Sequence, residues 1–248
     1  MLNIIKLLFN YWKRSMGVPF CFVFPIISLL VFRSFTPLQS ILPTILISSS
    51  LSNGIFGLGI TYADIRNSVI MKKIRTLPLP KWKVILGIIS FNFFIICLSS
   101  LWIFSFAVLF FRSGINFSQI NWFYFILAIF LAITMGSVTG FLVGSFAPNA
   151  ADAASSAFII ISTPVTFFSG QYIQINLLKK SNILSSIAKL FPFTYPFDII
   201  RRSSFHNNLP AISNNLLFTD YLKPIIFSLL WISSLFVLAF YVYNSQKE

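Results

Sequence analysis

The chain has 248 residues, of which 57% are hydrophobic, 18% aromatic and only 9% charged, with a net charge of +13 and a mean hydropathy of +0.86. Water-soluble domains carry about 25% charged residues, so this composition excludes an ordinary soluble globule and predicts one all-α membrane domain over residues 1–248. The Lys and Arg residues stand between apolar blocks and form no continuous basic tract, which points to membrane topology and to lipid as the surrounding partner, and away from nucleic acid.

Residues 1–17 place Asn3, Lys6, Asn10 and Lys13 on one helical stripe, backed by Ile4, Ile5, Leu8, Tyr11 and Trp12. That pattern predicts an interfacial helix lying flat before the first span; a charged tail ahead of an uncleaved signal anchor is the other reading. The first span covers about 18–34 and closes at Arg33, whose long stem can reach the headgroups. The second, about 40–62, has a polar middle: Ser48, Ser49, Ser50, Ser52, Asn53, Gly54, Gly57 and Gly59. Small and hydroxyl side chains let helices approach closely, and Ser49, Ser52 and Asn53 would equally line a polar route through the membrane.

Next comes YADIRNSVIMKKIRTLPLPKWK, residues 62–83, with six of the eighteen basic residues. On a helix over about 63–77, Ile65, Val69, Ile70, Ile74 and Leu77 share one side, while Asp64, Arg66, Lys72, Lys73 and Arg75 fall mostly on the other. Asp64 would occupy the first turn and Lys72 to Arg75 the later turns, as the helix dipole favours, and Pro78 and Pro80 would stop the helix. Two readings fit: an amphipathic helix on the cytoplasmic membrane surface, or a basic connector that only obeys the positive-inside rule.

A third span is expected over about 84–111 and a fourth over about 122–146, joined by a short outer loop. In the fourth, Gly136, Gly140 and Gly144 repeat at four-residue steps, a specific signal for close helix contact that does not name the partner helix. The fifth span, about 153–170, contains Pro164 and ends at Ser169-Gly170. Residues 177–191 then carry Leu177, Ile183, Leu184, Ile187, Leu190 and Phe191 on one side and Lys179, Lys180, Ser185, Ser186 and Lys189 on the other. FPFTYPFDIIRR opens a second short helix, with Pro196 and Asp198 in its first turn. Two half-length helices in series, within about 171–202, predict a re-entrant or interfacial hairpin. A sixth span follows over about 224–244.

Six spans put both ends of the chain on one side. Ten of the eighteen basic residues then lie in inner segments, and six of the other eight lie in 171–223. Long segments weigh less in orientation, which favours cytoplasmic termini; five spans with 171–223 inside is the competing topology.

Catalytic material is scarce. His206 is the only histidine, and Asp64, Asp152, Asp198, Asp220 and Glu248, the only acids, fall outside the expected spans. Proton- and sodium-coupled carriers hold a carboxylate at mid-membrane, so that class is disfavoured. Cys21 and Cys97 sit in apolar runs, as small core residues do, and not in a disulfide or metal pattern. The sequence has no G-x-x-x-x-G-K-[ST] motif; a chain like this can move cargo uphill only with energy from another polypeptide.

Three stretches resemble the permease subunit of type-2 ABC exporters, in that family's order: DIRNSVIMKKIRTLPLPKWKVILG, FAPNAADAASSAFIIISTPVTFFSG and LFPFTYPFDIIRR. The resemblance implies six spans, an interfacial N-terminal helix, a cytoplasmic coupling helix between spans two and three, and a re-entrant hairpin before span six. It implies a pair of permeases, two copies or paralogues, and a separate ATP-binding-cassette subunit that binds ATP and Mg; this chain itself would hold no cofactor or metal. Contact with the ATPase would fall to Asp64, Ile65, Arg66, Val69, Lys72, Lys73, Ile74 and Arg75. Ser169, Gly170, Pro192, Tyr195, Pro196, Asp198 and Arg201 would form an outer gate. The expected role is non-enzymatic: export of a drug, antibiotic or other amphipathic compound across the plasma (inner) membrane. Export of a glycan or lipid-linked polysaccharide is one alternative, and a non-transporting scaffold or immunity protein is another.

Overall fold

The computed structural model describes residues 9, 21–66, 68, 80–160, 175–208 and 216–245. Every regular element among them is helical. In chain order they are α1 (Phe24–Arg33), α2 (Leu38–Ser52), a π-helical turn (Asn53–Gly57), α3 (Leu58–Arg66), α4 (Lys81–Phe111), α5 (Trp122–Phe146), α6 (Ala150–Ile160), α7 (Ile175–Lys179), α8 (Asn182–Leu190), α9 (Thr194–Ser204) and α10 (Leu222–Ser245).

Among the described residues, four helices are long and apolar enough to cross a membrane: Leu38–Arg66, Trp82–Gly114, Trp122–Phe146 and Leu222–Ser245. A fifth is counted if α8 and α9, bent by 95° at their junction, form one broken span; α1 and α6 are shorter apolar helices. Two of the long helices are central and two peripheral. The most apolar windows of Leu38–Arg66 and Trp122–Phe146 are each 72% buried, against 33% for the third and 17% for the last. The outer faces of α4 and α10 expose Leu101, Leu109, Val237 and Tyr241, more contiguous apolar surface than water tolerates and the normal state of a helix wall in lipid.

The second span differs from its expected bounds. It runs from Leu38 to Arg66 as one helical rod through the π turn, where the sequence pattern predicts a break near residue 62 and a new helix from 63. The reason is packing: Tyr62, Ala63 and Ile65 are buried, so the apolar seam facing α4 and α5 continues to the last turn. Pro80 stands as N-cap of α4 in extended geometry, where its missing N–H costs nothing. Asn121 caps α5, its side chain accepting the Tyr124 N–H. Asn149 does the same for α6 by accepting the Asp152 N–H at 2.9 Å and donating to its carboxylate at 2.8 Å.

Both ends of the bundle are defined by hydrogen bonds between distant segments. At one end, Gln39 Nε2 donates to the Ser204 carbonyl at 2.8 Å, the Asn121 N–H to the Ser203 carbonyl at 2.8 Å, and Asn207 Nδ2 to the Ser118 carbonyl at 2.7 Å. Arg33 lies there too, its guanidinium 3.7 Å from the Phe111 ring centroid. The opposite end holds Arg66, the end of α5 and the start of α6.

Candidate functional site

The centre of the molecule is the seam between the second span and α5. A Cβ on Gly54 would stand 2.6 Å from the Gly136 carbonyl carbon, and one on Gly136 would stand 3.1 Å from the Leu51 carbonyl oxygen. A Cβ on Gly140 would run into the Gly54 carbonyl oxygen, and one on Gly144 would lie 3.1 Å from Tyr62 Cβ. The backbones touch, which only glycine permits. The partner helix that the glycine repeat leaves open is therefore the second span, and its own Gly54 and Gly59 supply the opposing surface.

Polar side chains of each of these two spans pair with α4. Ser50 and Ser100 hydroxyls meet at 3.2 Å, and Asn92 Nδ2 donates to Ser137 Oγ at 3.0 Å. Of the three residues with a possible pathway role, Ser49 turns its hydroxyl back to the Leu46 carbonyl at 3.1 Å. Ser52 is half-buried. Asn53 is 3% exposed and opens the π turn; its buried Nδ2 has no hydrogen-bond partner among the described residues. An unsatisfied amide in a dry core is costly, and π turns occur often at functional positions. Beside this region Gly57, Thr61, Tyr62 and Asn92 line a cleft of about 10 Å³, room for roughly one water and no cargo.

The residues assigned to ATPase contact divide at this structure's described limit. Asp64 is exposed, Ile65 is buried in the seam with Leu58, Val84 and Ile88, and Arg66 is half-buried. Arg66 donates to the carbonyls of Ser145, Ala147 (2.7 Å) and Pro148 (3.4 Å). Val69, Lys72, Lys73, Ile74 and Arg75 lie outside the described residues, as does most of the expected interfacial helix 1–17.

At the other end α9 is wedged between α2, α5 and α10. Tyr195, Pro196 and Asp198 are buried and Pro192 and Arg201 half-buried, while Ser169 and Gly170 lie outside the described residues. The Asp198 carboxylate accepts the Leu217 N–H at 2.6 Å and the Phe218 N–H at 3.3 Å. Tyr195 Oη donates to the Lys189 carbonyl at 2.8 Å, and Thr194 Oγ1 to those of Ala188 and Phe191, which locks the α8–α9 bend. Arg202 Nη2 donates to the Phe218 carbonyl at 2.8 Å and its guanidinium faces the Tyr221 ring. Tyr221 in turn stacks on Tyr124 at 3.9 Å.

Sequence reasoning misses Gln39, Asn92, Ser137 and Tyr221. A polar residue inside or beside a span is visible in the sequence, but the helix it bonds to is not.

A family model described as ABC-2 type transporter matches residues 2–205. No curated protein matches the chain. The matched range takes in the glycine seam, Arg66, the α5–α6 junction and all of α9, and it covers most of the chain, so the protein belongs to the ABC-2 type transporter family of membrane permeases.

Proposed function

We propose that this chain is the transmembrane subunit of an ATP-driven exporter, working as a pair of permeases with separate ATP-binding-cassette subunits. The observation that carries the reading is family membership in a chain without a nucleotide-binding motif of its own. Such a permease needs an engine, and the ATP and Mg belong to that partner. The cargo we favour is a drug, antibiotic or other amphipathic compound.

Six crossings are part of this reading. Support comes from the two bundle ends: α6 starts beside Arg66, whereas Ser203 and Ser204 bond to residues at the opposite end. Those two positions, at opposite ends of the bundle, support a fifth crossing between α6 and α9. With the Arg66 end cytoplasmic, the basic segment after it faces the ATPase, both termini lie inside and the α8–α9 hairpin lies at the outer surface. Val69, Lys72, Lys73, Ile74 and Arg75 are then the docking residues, and α9 with its flanking loops is the outer gate.

Purification from the native membrane after mild crosslinking tests the reading. The expected result is an ATPase subunit retained in stoichiometric amount with two permease chains, and nucleotide-dependent export after reconstitution. Isolation without any ATPase, or transport in vesicles lacking nucleotide, would overturn it.

A further inference from the structure

Arg66 is the last residue of the second span, and its side chain does not point away from the bundle. Its guanidinium crosses to α5 and donates to the carbonyls of Ser145, Ala147 and Pro148. The last carbonyls of a helix have no intrahelical donors and carry the negative end of its dipole. A planar fork with five N–H groups can hold several of them at once, which a lysine ammonium does less well. One residue after Pro148, Asn149 caps α6 through Asp152, and α3 packs on α6 directly. Arg66 thus joins the end of the second span to the end of α5 and to Ala147 and Pro148, the short link that leads into α6.

The surroundings make this joint stiff. Gly144 brings α5 close against the Gly59 carbonyl, Tyr62 Cβ and the Ala63 nitrogen, one to two turns before Arg66. The Ser68 N–H and hydroxyl both donate to the Ile65 carbonyl, at 2.9 and 2.7 Å, so the helix end is closed around the arginine. A displacement of the chain at Arg66 has a direct hydrogen-bonded route to residues 145–148.

We propose that Arg66 is a positioning residue that ties the segment following the second span to the start of the fifth, so that movement imposed on the inner segment is delivered to α6. This rests on the exporter reading above, and it gives Arg66 an inward role in place of direct ATPase contact.

The test uses the permease–ATPase complex in lipid nanodiscs, with hydrogen–deuterium exchange read over residues 150–160 with and without ATP plus vanadate. Wild type should show a nucleotide-dependent change there. Arg66→Ala should keep the ATPase subunit bound and lose that change by roughly tenfold, the scale of losing charge-assisted hydrogen bonds. An undiminished change in Arg66→Ala overturns the proposal, and so does loss of the ATPase, which would make Arg66 a docking residue. If the Arg66→Ala permease itself does not fold, Arg66→Lys carries the test: it keeps the charge and stem, and its change should fall several-fold. A lysine variant equal to wild type overturns the proposal. A wild-type complex that holds no ATPase strikes the exporter reading itself, and is seen before any substitution is made.

Discussion

Gly140 of α5 lies against the carbonyl of Gly54 so closely that the smallest possible side chain at position 140 would overlap its oxygen. Together with the contacts of Gly136 and Gly144, it sets the distance between the two central spans. Gly140→Ala is therefore expected to cost about 2–3 kcal/mol through forced separation of the helices. The adjacent control is Gly57→Ala, where a Cβ meets only Asn92 Oδ1 at 3.9 Å; it should change stability by no more than about 1 kcal/mol. Thermal unfolding of the two variants in the same lipid or detergent separates them. Equal behaviour would mean that the seam opens easily.

Asp198 is 1% exposed and accepts two backbone N–H groups from residues 217 and 218. Truncation to Ala leaves the buried Leu217 N–H and the half-buried Phe218 N–H without this acceptor, at a cost of about 2–4 kcal/mol. Asp198→Asn keeps one acceptor oxygen and should cost about half as much. Hydrogen exchange at Leu217 and Phe218 should rise in the order wild type, Asn, Ala. The reverse order would show that the carboxylate does not hold this loop.

Asn53 sits buried with an unmatched Nδ2, whereas Asn92 is satisfied by Ser137. The two asparagines should therefore respond oppositely to loss of their amides. Asn92→Ala should destabilise by about 0.5–2 kcal/mol, the range for interhelical hydrogen bonds in membranes. Asn53→Leu should be neutral or stabilising by about 1 kcal/mol, since it removes a desolvated amide that gains nothing in return. If Asn53 belongs to the export path, the same substitution lowers transport while the melting temperature holds or rises. A fall in both would return Asn53 to a structural role.

In the exporter reading, Lys72, Lys73 and Arg75 would face the ATPase, so charge reversal at the three is expected to lower transport-coupled ATP hydrolysis while the spans stay folded. Circular dichroism of the purified variant checks the fold, and cargo-stimulated hydrolysis checks the coupling. Unchanged stimulation would remove the docking role from these three residues.

Much of the fold is legible in the residue pattern because lipid imposes a simple rule: a span is a long run of apolar residues, and its ends carry prolines, asparagines and charges. In the structure Asn121, Pro80 and Pro37 stand at helix starts. The stop of the second span is less legible. Asp64 and Arg66 look like the first turn of a separate helix, yet Ile65 between them is buried and the rod continues to Arg66. Polarity at a helix end does not distinguish a charge turned to water from one turned to another helix's carbonyls. The same limit hides Asp198, whose partners are backbone groups about twenty residues away.

By itself the amino-acid sequence determined that this chain is helical and lipid-embedded, and that it has no nucleotide-hydrolysing motif of its own, since those properties follow from composition, apolar run length and motifs. The glycine repeat also declared a close helix contact. Only the tertiary structure decided which helix fills that contact, that Arg66 reaches α5, and that α9 is buried between α2, α5 and α10. The physical reason is that apolar periodicity encodes which face of a helix is covered, whereas the identity of the covering surface arises from shape and hydrogen-bond complementarity between residues far apart in the chain.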